Sequence, residues 1–355
     1  MKNINLKYHD FISSYNFARQ SNFVYSEVLT QDQFNKLKLS DISIISKNEK
    51  LVFYKKNKIT IKENDIIFCH LGMVKNLFYQ LAKFNNFTNL TLITSQTDNP
   101  LNSKIFDLKT NNISRWFSIN IDHEHELLKP LPLGLSNEYS PKNPDANDFI
   151  NLYKNPEIIK TQKMYINFRE NTNMGERSDL LAMFQNKDWV TFESPNLDIK
   201  DYLNKLKTNQ FTLCPWGNGV DTHRFWETLY AGSVPVTKYH HTYSTANRLP
   251  VLFVNHYEDI NKKLLNEFFV SLKNRDFDYK KLSMDFWLSE IKTIDYEQKS
   301  EVKTVKESNY FIIKVLGIVR IKNFYEKYRK RILFQVKKIK KIPNKTRRIF
   351  SNENR

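Results

Sequence analysis

Residues 211–238 read FTLCPWGNGVDTHRFWETLYAGSVPVTK, and this stretch determines which fold class the sequence predicts. It starts with a short apolar run, residues 211–214, which a proline ends, as is typical of a buried strand. A loop with two glycines follows, and a helix is predicted from Asp221 until Gly232 ends it. A second strand, residues 234–236, comes next. This order of strand, loop, helix and strand predicts a βαβ unit of a parallel sheet.

The loop at the carboxyl end of the first predicted strand suits a nucleotide-sugar ligand. Open α/β sheets bind their ligands at this edge, and Gly217 and Gly219 let the backbone approach a ligand closely. The N-terminus of the next helix offers unpaired N–H groups and partial positive charge to a diphosphate. Arg224 adds forked donors for phosphate oxygens, and Glu227, on the same helix face, can accept hydrogen bonds from hydroxyls. The structural alternative is an ordinary capped helix with Arg224 in a surface ion pair.

The segment CPWGNGVDTHRFWETLYAGSVPV resembles the conserved block of exostosin-like glycosyltransferases, P-x-G-x-G-x-D-x-x-R-x-x-E-x-L-x-x-G-x-x-P-V. More loosely, it is similar to the donor block of α1,3-fucosyltransferases. The resemblance covers roughly residues 160–260 and does not specify the sugar. It implies a GT-B architecture of class α/β, with two Rossmann-like domains whose parallel sheets face each other across a cleft. The C-terminal domain would then hold the donor.

The resemblance also implies a set of donor-site residues. The residues that fall on the family pattern are Gly217, Gly219, Asp221, Arg224, Glu227, Gly232 and Pro235. Asn218 and His223, inside the same motif, join the expected donor-binding set. Arg177 joins it as well, because it starts a predicted helix after a predicted strand and would face the phosphates beside Arg224. An exposed arginine at a helix end is the alternative for Arg177.

The catalytic base is less well defined by the sequence. Transfer with inversion needs a base for the proton of the acceptor hydroxyl and stabilisation of the departing diphosphate. The candidates lie at loop ends of the N-terminal half, where the acceptor is expected, and they are Asp98, Asp122, His123 and Glu138. Each is also a common cap or turn residue, so the sequence does not choose among them.

Length and composition fit two α/β domains and a tail. The chain has 355 residues, of which 40% are hydrophobic, enough for two cores. Apolar runs alternate with helical segments in residues 1–145, which predicts a parallel sheet in an acceptor domain. The polar stretch over residues 140–148 is the expected linker to a nucleotide-sugar domain, residues 146–302. The predicted strands centre on residues 42–45, 65–69, 90–94, 115–119, 164–168, 189–192, 211–214, 234–236 and 249–254.

Most of the net charge of +17 lies in the tail, residues 303–355, which has 17 Lys and Arg against 3 Glu. Its apolar side chains recur at intervals of three and four residues, at Tyr325, Tyr328, Ile332, Val336 and Ile339. Pro343 is expected to end this helix. The pattern predicts a cationic amphipathic helix that lies on an anionic membrane surface. Nucleic acid is the rival partner, without a recognisable nucleic-acid-binding motif to support it, and packing on the body is the structural alternative.

The compartment is predicted from the cysteines and the apolar segments. Cys69 and Cys214 are widely spaced, which favours a reducing compartment. The first residues, MKNINLKYHDF, lack the apolar core of a signal peptide. The apolar stretch 311–321 contains two basic residues and is far shorter than the ~20 residues that span a membrane. We therefore expect a cytoplasmic protein attached peripherally to the inner face of the membrane.

No obligatory metal or other cofactor is expected beyond the nucleoside-diphosphate sugar itself. Residues 276–278 match the D-x-D pattern with which GT-A glycosyltransferases bind a metal, but they follow a polar stretch and predict a solvated turn. The sequence thus predicts an inverting glycosyltransferase that transfers a sugar to a glycan hydroxyl in surface polysaccharide or glycoconjugate synthesis. The alternatives are a fucosyltransferase-type enzyme with a GDP-sugar donor and a non-catalytic protein that binds nucleic acid or membrane. Sugar, acceptor, linkage and oligomeric state stay open.

Overall fold

Two large sheets form the framework of the protein in a computed structural model. The structure describes residues 6–84, 87–136, 143–154, 158–292 and 302–340, and within the last helix it describes only some side chains. Residues 1–305, which contain both sheets, form one compact unit, and a second compact unit begins at Lys306.

The sheet of the N-terminal half has seven strands in the order β10-β8-β6-β5-β1-β3-β2. The strands of this half are β1 (Phe23–Thr30), β2 (Ile42–Lys47), β3 (Leu51–Lys56), β4 (Lys58–Ile61), β5 (Ile66–His70), β6 (Leu90–Ser95), β7 (Leu101–Asn102), β8 (Ile113–Ser118), β9 (Ile121–Asp122) and β10 (Leu128–Pro130). Its helices are α1 (Ser14–Arg19), α2 (Gln31–Leu37), α3 (Val74–Leu81) and α4 (Ser103–Phe106). The first five strands of the sheet are parallel, whereas β3 pairs antiparallel with both β1 and β2.

The predicted parallel sheet is therefore confirmed for the strands from β10 to β1, and the antiparallel edge was not anticipated. Strand β1 escapes prediction because Glu27 lies in the middle of it. That carboxylate is fully buried, yet it pairs with Arg19 and accepts a 2.7 Å hydrogen bond from the hydroxyl of Tyr54 on β3. A buried charge is tolerated only with such partners, and they lie too far away in sequence to be recognised.

The sheet of the C-terminal half has five strands, all parallel, in the order β12-β11-β13-β14-β15. They are β11 (Thr161–Ile166), β12 (Val190–Phe192), β13 (Asn209–Leu213), β14 (Val234–Lys238) and β15 (Leu252–Val254). The helices are α5 (Ala146–Lys154), α6 (Met174–Phe184), α7 (Ile199–Thr208), α8 (His223–Tyr230), α9 (Lys262–Ser271) and α10 (Met284–Ile291). The predicted βαβ unit is confirmed as β13-α8-β14.

The two halves share buried side chains. One hydrophobic cluster contains Phe11 and Leu131 of the N-terminal half together with Trp226 and Tyr230 of α8. The hydroxyl of Tyr230 accepts a 3.0 Å hydrogen bond from the backbone N–H of Ile12. The described part of the expected linker, residues 143–148, runs into α5, whose Phe149 is fully buried in the same cluster. The domain boundary at residue 145 stays a prediction.

The end of the chain is helical as far as the structure describes it. A short strand, β16 (Lys303–Lys306), precedes α11 (Asn309–Lys340), a helix of 32 residues. Pro343, the expected end of this helix, lies outside the described residues. Among the described residues, helices that are both long and apolar enough to cross a membrane are absent.

Candidate functional site

A cleft of about 800 Å³ opens at the carboxyl edge of the five-stranded sheet, where open α/β sheets bind ligands. The loops after β11 and β12 form part of its wall, and the starts of α6, α7 and α8 and the residues before α5 form the rest. Its lining residues are Asn143, Pro144, Asn167, Arg169, Thr172, Arg177, Pro195, Asn196, Leu197, Asp198, Ile199, Tyr202, His223, Arg224 and Glu227. The motif predicted from the sequence therefore contributes His223, Arg224 and Glu227 to this cleft.

Helix α8 places Arg224 and Glu227 on one side, both against Tyr202 of α7. The guanidinium of Arg224 lies over the ring of Tyr202, with its carbon 5.5 Å from the ring centre. The Tyr202 hydroxyl donates a 2.6 Å hydrogen bond to Oε2 of Glu227. Burial raises the pKa of Tyr202 well above its ordinary value, so the hydroxyl keeps its proton at neutral pH. Tyr202 thus orients Glu227 while supporting the arginine.

Arg224 has a buried donor without an acceptor, although the carboxylate of Glu227 attracts its charge. Its Nη1 atom is buried and has no hydrogen-bond partner among the described residues. A buried donor of a charged group that makes no hydrogen bond is costly. An anion that enters the cleft would remove that cost, and a diphosphate offers several acceptor oxygens to a guanidinium.

Arg177 lines the same cleft, but its donors are largely used within the protein. Its Nε and Nη2 atoms donate to the backbone oxygens of Trp216 and Pro215, each at 2.9 Å. Its Nη1 atom donates to the carbonyl of Arg169 and to the hydroxyl of Thr172. Burial, and after it the charge of the neighbouring arginine on α8, lowers the pKa of Arg177 to about 10. Arg177 therefore stays cationic at neutral pH and holds the loop after β13 in position.

The glycine loop of the motif faces protein instead of the cleft. Gly217, Asn218 and Gly219 do not line the cleft, and neither glycine has a positive φ. A Cβ atom on Gly219 would lie 2.8 Å from Nδ2 of Asn120, so this position needs a glycine for close approach to the N-terminal half. Asn218 donates a 3.3 Å hydrogen bond to Asp98 of that half. We expected these glycines to approach a ligand, but in the structure their loop contacts the N-terminal half.

Asp221 joins the start of α8 to the N-terminal half. Its Oδ2 atom accepts a 2.9 Å hydrogen bond from the backbone N–H of Leu133, and both carboxylate oxygens accept from Nε1 of Trp226. Its own backbone N–H donates to Oδ1 of Asn120 at 2.8 Å. Burial raises the pKa of Asp221 to about 7 even though these hydrogen bonds oppose the shift. Asp221 lies outside the cleft lining and its oxygens are engaged with protein.

His223 lines the cleft and also contacts the N-terminal half. Its Nδ1 atom lies 2.8 Å from the carbonyl oxygen of Gly134. Gly134 has a φ of 67°, and a Cβ atom there would lie 2.1 Å from the carbonyl oxygen of Ile12. Since only glycine fits this position, the carbonyl that contacts His223 is held in a fixed place.

The candidates for the catalytic base that the structure describes are not brought into the cleft. Asp122 is exposed at the end of β9, and His123 packs beside Phe106 with ring centres 5.2 Å apart. Neither of them lines the cleft, and neither does Asp98. Glu138, the fourth candidate, lies outside the described residues. The structure thus brings together Arg177, His223, Arg224 and Glu227, together with Tyr202, which sequence reasoning missed because its helical position matches a core residue.

In the part of the chain that the structure describes, no group of three or more His, Cys, Asp or Glu residues is arranged so that it could hold a metal ion. The D-x-D match at residues 276–278 lies in a stretch without regular secondary structure. Its first carboxylate is 90% exposed and pairs with Arg248 at 2.9 Å.

Comparisons with known proteins place the C-terminal half in a broad class. Residues 162–308 match the family model described as RXYLT1 C-terminal domain, an exostosin-related glycosyltransferase domain. Among solved structures, the chain is similar to one titled "Crystal Structure of alpha1,3-Fucosyltransferase with GDP-fucose", at 14% identity and a TM-score of 0.31. That match covers 63% of this chain and 81% of the other. A search of curated proteins gave no match.

The structure confirms the predicted mixed α/β fold with parallel sheets, and the family match covers less than half of the chain. The matched range contains β11 to β15 and the whole of α8, hence most of the cleft. Membership of the exostosin-like family and the two-domain GT-B arrangement stay predictions.

Proposed function

We propose that the protein is an inverting glycosyltransferase that moves a sugar from a nucleoside-diphosphate sugar to a glycan hydroxyl. The observation that carries this proposal is the guanidinium of Arg224, whose buried Nη1 atom has no hydrogen-bond partner among the described residues, in a cleft at the carboxyl edge of a parallel sheet. The glycosyltransferase family match over residues 162–308 supports it. Synthesis of a surface polysaccharide or glycoconjugate is the proposed context.

The charges of the cleft suit a donor diphosphate. Arg169, Arg177 and Arg224 line it, against two carboxylates, Asp198 and Glu227. Asp198 is engaged as the cap of α7, where it accepts a 2.8 Å hydrogen bond from a backbone N–H. The positive charge is therefore in excess, and it would stabilise negative charge on the departing diphosphate. Glu227, oriented by a tyrosine hydroxyl, would accept a hydrogen bond from a hydroxyl of the donor.

We infer that this arrangement works without an obligatory metal. In metal-dependent transfer, the cation neutralises the diphosphate as the bond to the sugar breaks. Here Arg224 and the N–H groups at the start of α8 would take that role, because both lie where the leaving group is proposed to bind. Donor binding should accordingly survive chelation of divalent cations.

A nucleotide screen by thermal unfolding tests the proposed function. With 1 mM EDTA present, UDP or GDP should raise the melting temperature by several degrees, because a ligand at 100 times its Kd adds about 2.7 kcal/mol. The preferred nucleotide should also be released from its sugar conjugate by the purified chain. Inorganic phosphate at the same concentration is the control for a general anion effect. Stabilisation by neither nucleotide, or only after manganese is restored, would refute the corresponding part of the proposal.

We also propose that α11 attaches the enzyme to an anionic membrane, on the cytoplasmic face. Large apolar side chains are more than half exposed along this helix, at Tyr310, Ile313, Ile318, Ile321, Phe324, Tyr325 and Tyr328. At about 100° per residue, all but Ile318 fall within about 120° of one another. Arg320 and Arg329 occupy positions that flank this face. An apolar stripe edged by cations is the pattern of an interfacial helix.

Removing residues 309–355 should abolish sedimentation with anionic vesicles and leave nucleotide stabilisation unchanged. The cations attract the helix to anionic headgroups, and the apolar stripe inserts into the interface of the bilayer. Sedimentation of the intact chain with phosphatidylserine vesicles, but not with phosphatidylcholine vesicles, and its weakening in high salt check this.

The double substitution Ile321→Asp with Phe324→Asp is the matched variant, since it keeps every cation and interrupts the stripe. It should lose most of the vesicle binding. If the truncated chain still sediments, or if the intact chain binds DNA but not vesicles, membrane attachment through α11 is wrong.

A further inference from the structure

We propose that His223 is the catalytic base, which takes the proton of the acceptor hydroxyl at its Nε2 atom. This inference rests on the proposed function and assigns a residue to its least defined step. The sequence predicts that His223 belongs to the donor-binding set and that the base lies in the N-terminal half. The geometry of the cleft points to a different division of roles.

The contact with Gly134 fixes which ring nitrogen of His223 carries the hydrogen. A carbonyl oxygen only accepts hydrogen bonds, so at 2.8 Å the Nδ1 atom must be the donor. The neutral ring then has its lone pair on Nε2, the atom that can accept a proton. That atom makes no hydrogen bond to the described residues.

The carbonyl that orients the ring is held in place. Gly134 adopts a φ of 67° where any side chain would collide with Ile12. The next residue, Leu135, donates a 2.8 Å backbone hydrogen bond to the carbonyl oxygen of Ile12. Since the turn is fixed on both sides, the imidazole is preorganised, as a base must be.

The two carboxylates of the cleft lining are partly engaged already. Asp198 caps α7 through Oδ1, and Oε2 of Glu227 holds the hydroxyl of Tyr202, while its other oxygen is proposed to bind a donor hydroxyl. The remaining charged groups of the lining, Arg169, Arg177 and Arg224, are cations. His223 is the imidazole of this lining, and its lone pair is oriented and makes no hydrogen bond to the described residues. It is also the first residue of α8, immediately before the arginine proposed to bind the diphosphate.

The proposed step balances within the cleft. The acceptor oxygen attacks the anomeric carbon and forms the new C–O bond, while its O–H bond breaks and the proton moves to Nε2 of His223. The bond between the anomeric carbon and the phosphate oxygen breaks at the same time. Its electron pair leaves with the nucleoside diphosphate, whose added negative charge lies beside Arg224. The imidazolium that forms is compensated by that departing anion and later loses its proton to water.

The substitution His223→Asn separates proton transfer from positioning. The asparagine amide can still donate to the carbonyl of Gly134, but it cannot act as a base. The donor is first chosen as the one that the purified parent turns over from a panel of UDP-glucose, UDP-galactose, UDP-N-acetylglucosamine, UDP-xylose and GDP-fucose. With that donor, the variant should release UDP or GDP at least 100-fold more slowly than the parent. The Kd of the variant for the free nucleotide, measured from thermal stabilisation, should stay within twofold of the Kd of the parent. The acid limb of the parent's pH–kcat profile should disappear.

A second variant, His223→Ala, should lose turnover to the same extent and regain part of it when imidazole is added. Turnover of His223→Asn near the parental rate would overturn the proposal. Loss of nucleotide affinity in parallel with turnover would overturn it too, because His223 would then bind the donor. If the parent itself neither binds a nucleotide nor releases one from the panel, the proposed function fails, and this inference fails with it.

Discussion

Replacing Arg224 with methionine is expected to lower nucleotide affinity and donor turnover by roughly tenfold to a hundredfold while leaving the ligand-free protein as stable as before. A hydrogen bond to a charged group contributes about 1.5–3 kcal/mol, which is the size of this loss. Stability should not fall, because the buried Nη1 atom makes no hydrogen bond to the described residues, and the lost attraction to Glu227 is offset by the removal of a desolvated charge. Methionine keeps the apolar part of the side chain against Tyr202 without the charge.

The two readouts together separate a binding arginine from a structural one. A structural arginine loses stability when it is removed, whereas Arg224→Met should melt at or above the parental temperature without ligand and should gain less from UDP or GDP. Arg248→Met is the matched control, since Arg248 is 62% exposed, pairs with Asp276 and lies outside the cleft. If Arg224→Met binds nucleotide like the parent, or unfolds as a destabilised variant, the donor site is elsewhere.

The parts of the fold that the sequence predicted are those with local signals. Strands β13 and β14 are apolar runs bounded by turn residues, and Gly232 ends α8 with a φ of 77°. Strands β1 and β3 were missed because each carries a buried charged residue, Glu27 or Lys55. The partners that make Glu27 tolerable come from a helix and another strand, and such pairing is visible only once the chain has folded.

The candidate site shows the same limit. The motif correctly indicated a helix that presents Arg224 and Glu227 to a cleft, because their spacing sets a common face. It did not reveal that Gly219 and Asp221, within the same motif, serve contacts to Asn120 and Leu133. Those partners precede them by about ninety to a hundred residues, and a motif does not show which of its members face ligand and which face protein.

Asp221→Ala is expected to destabilise the fold by several kcal/mol, because it removes the acceptor for two buried donors at once. The backbone N–H of Leu133 and Nε1 of Trp226 would both be left without a partner. Each unsatisfied buried donor costs about 1–3 kcal/mol, and a domain is typically stable by only about 5–15 kcal/mol. The conservative Asp221→Asn variant should be less destabilised, since its amide oxygen in the place of Oδ2 still accepts from both donors, even though Nδ2 then takes the place of the Oδ1 atom that accepts from Trp226.

The same pair of variants gives a pH dependence with a defined sign. Burial raises the pKa of Asp221 from 3.8 to about 7, so between these values the folded chain keeps a proton that the unfolded chain has released. Proton binding to the folded state alone stabilises it. The stability that Asp221 contributes through this proton is therefore fully present below about pH 4 and is lost as the pH rises through about 7. At about 1.4 kcal/mol per pKa unit, the free energy of unfolding falls by up to about 4 kcal/mol over this range.

Asp221→Asn cannot ionise, so its unfolding free energy should fall less between pH 4 and pH 7.5 than that of the parent. Urea unfolding at several pH values measures this difference directly, and the parent and the asparagine variant share every other titrating group. Near pH 7.5 the asparagine variant should be closer to the parent in stability than it is at pH 4, whereas the alanine variant should be weaker than both at every pH. Parallel curves for the parent and Asp221→Asn would mean that the carboxylate is ionised in the folded protein throughout this range. Asp221 would then join the two halves as an anion, and its burial would have to be offset by the hydrogen bonds from Leu133 and Trp226.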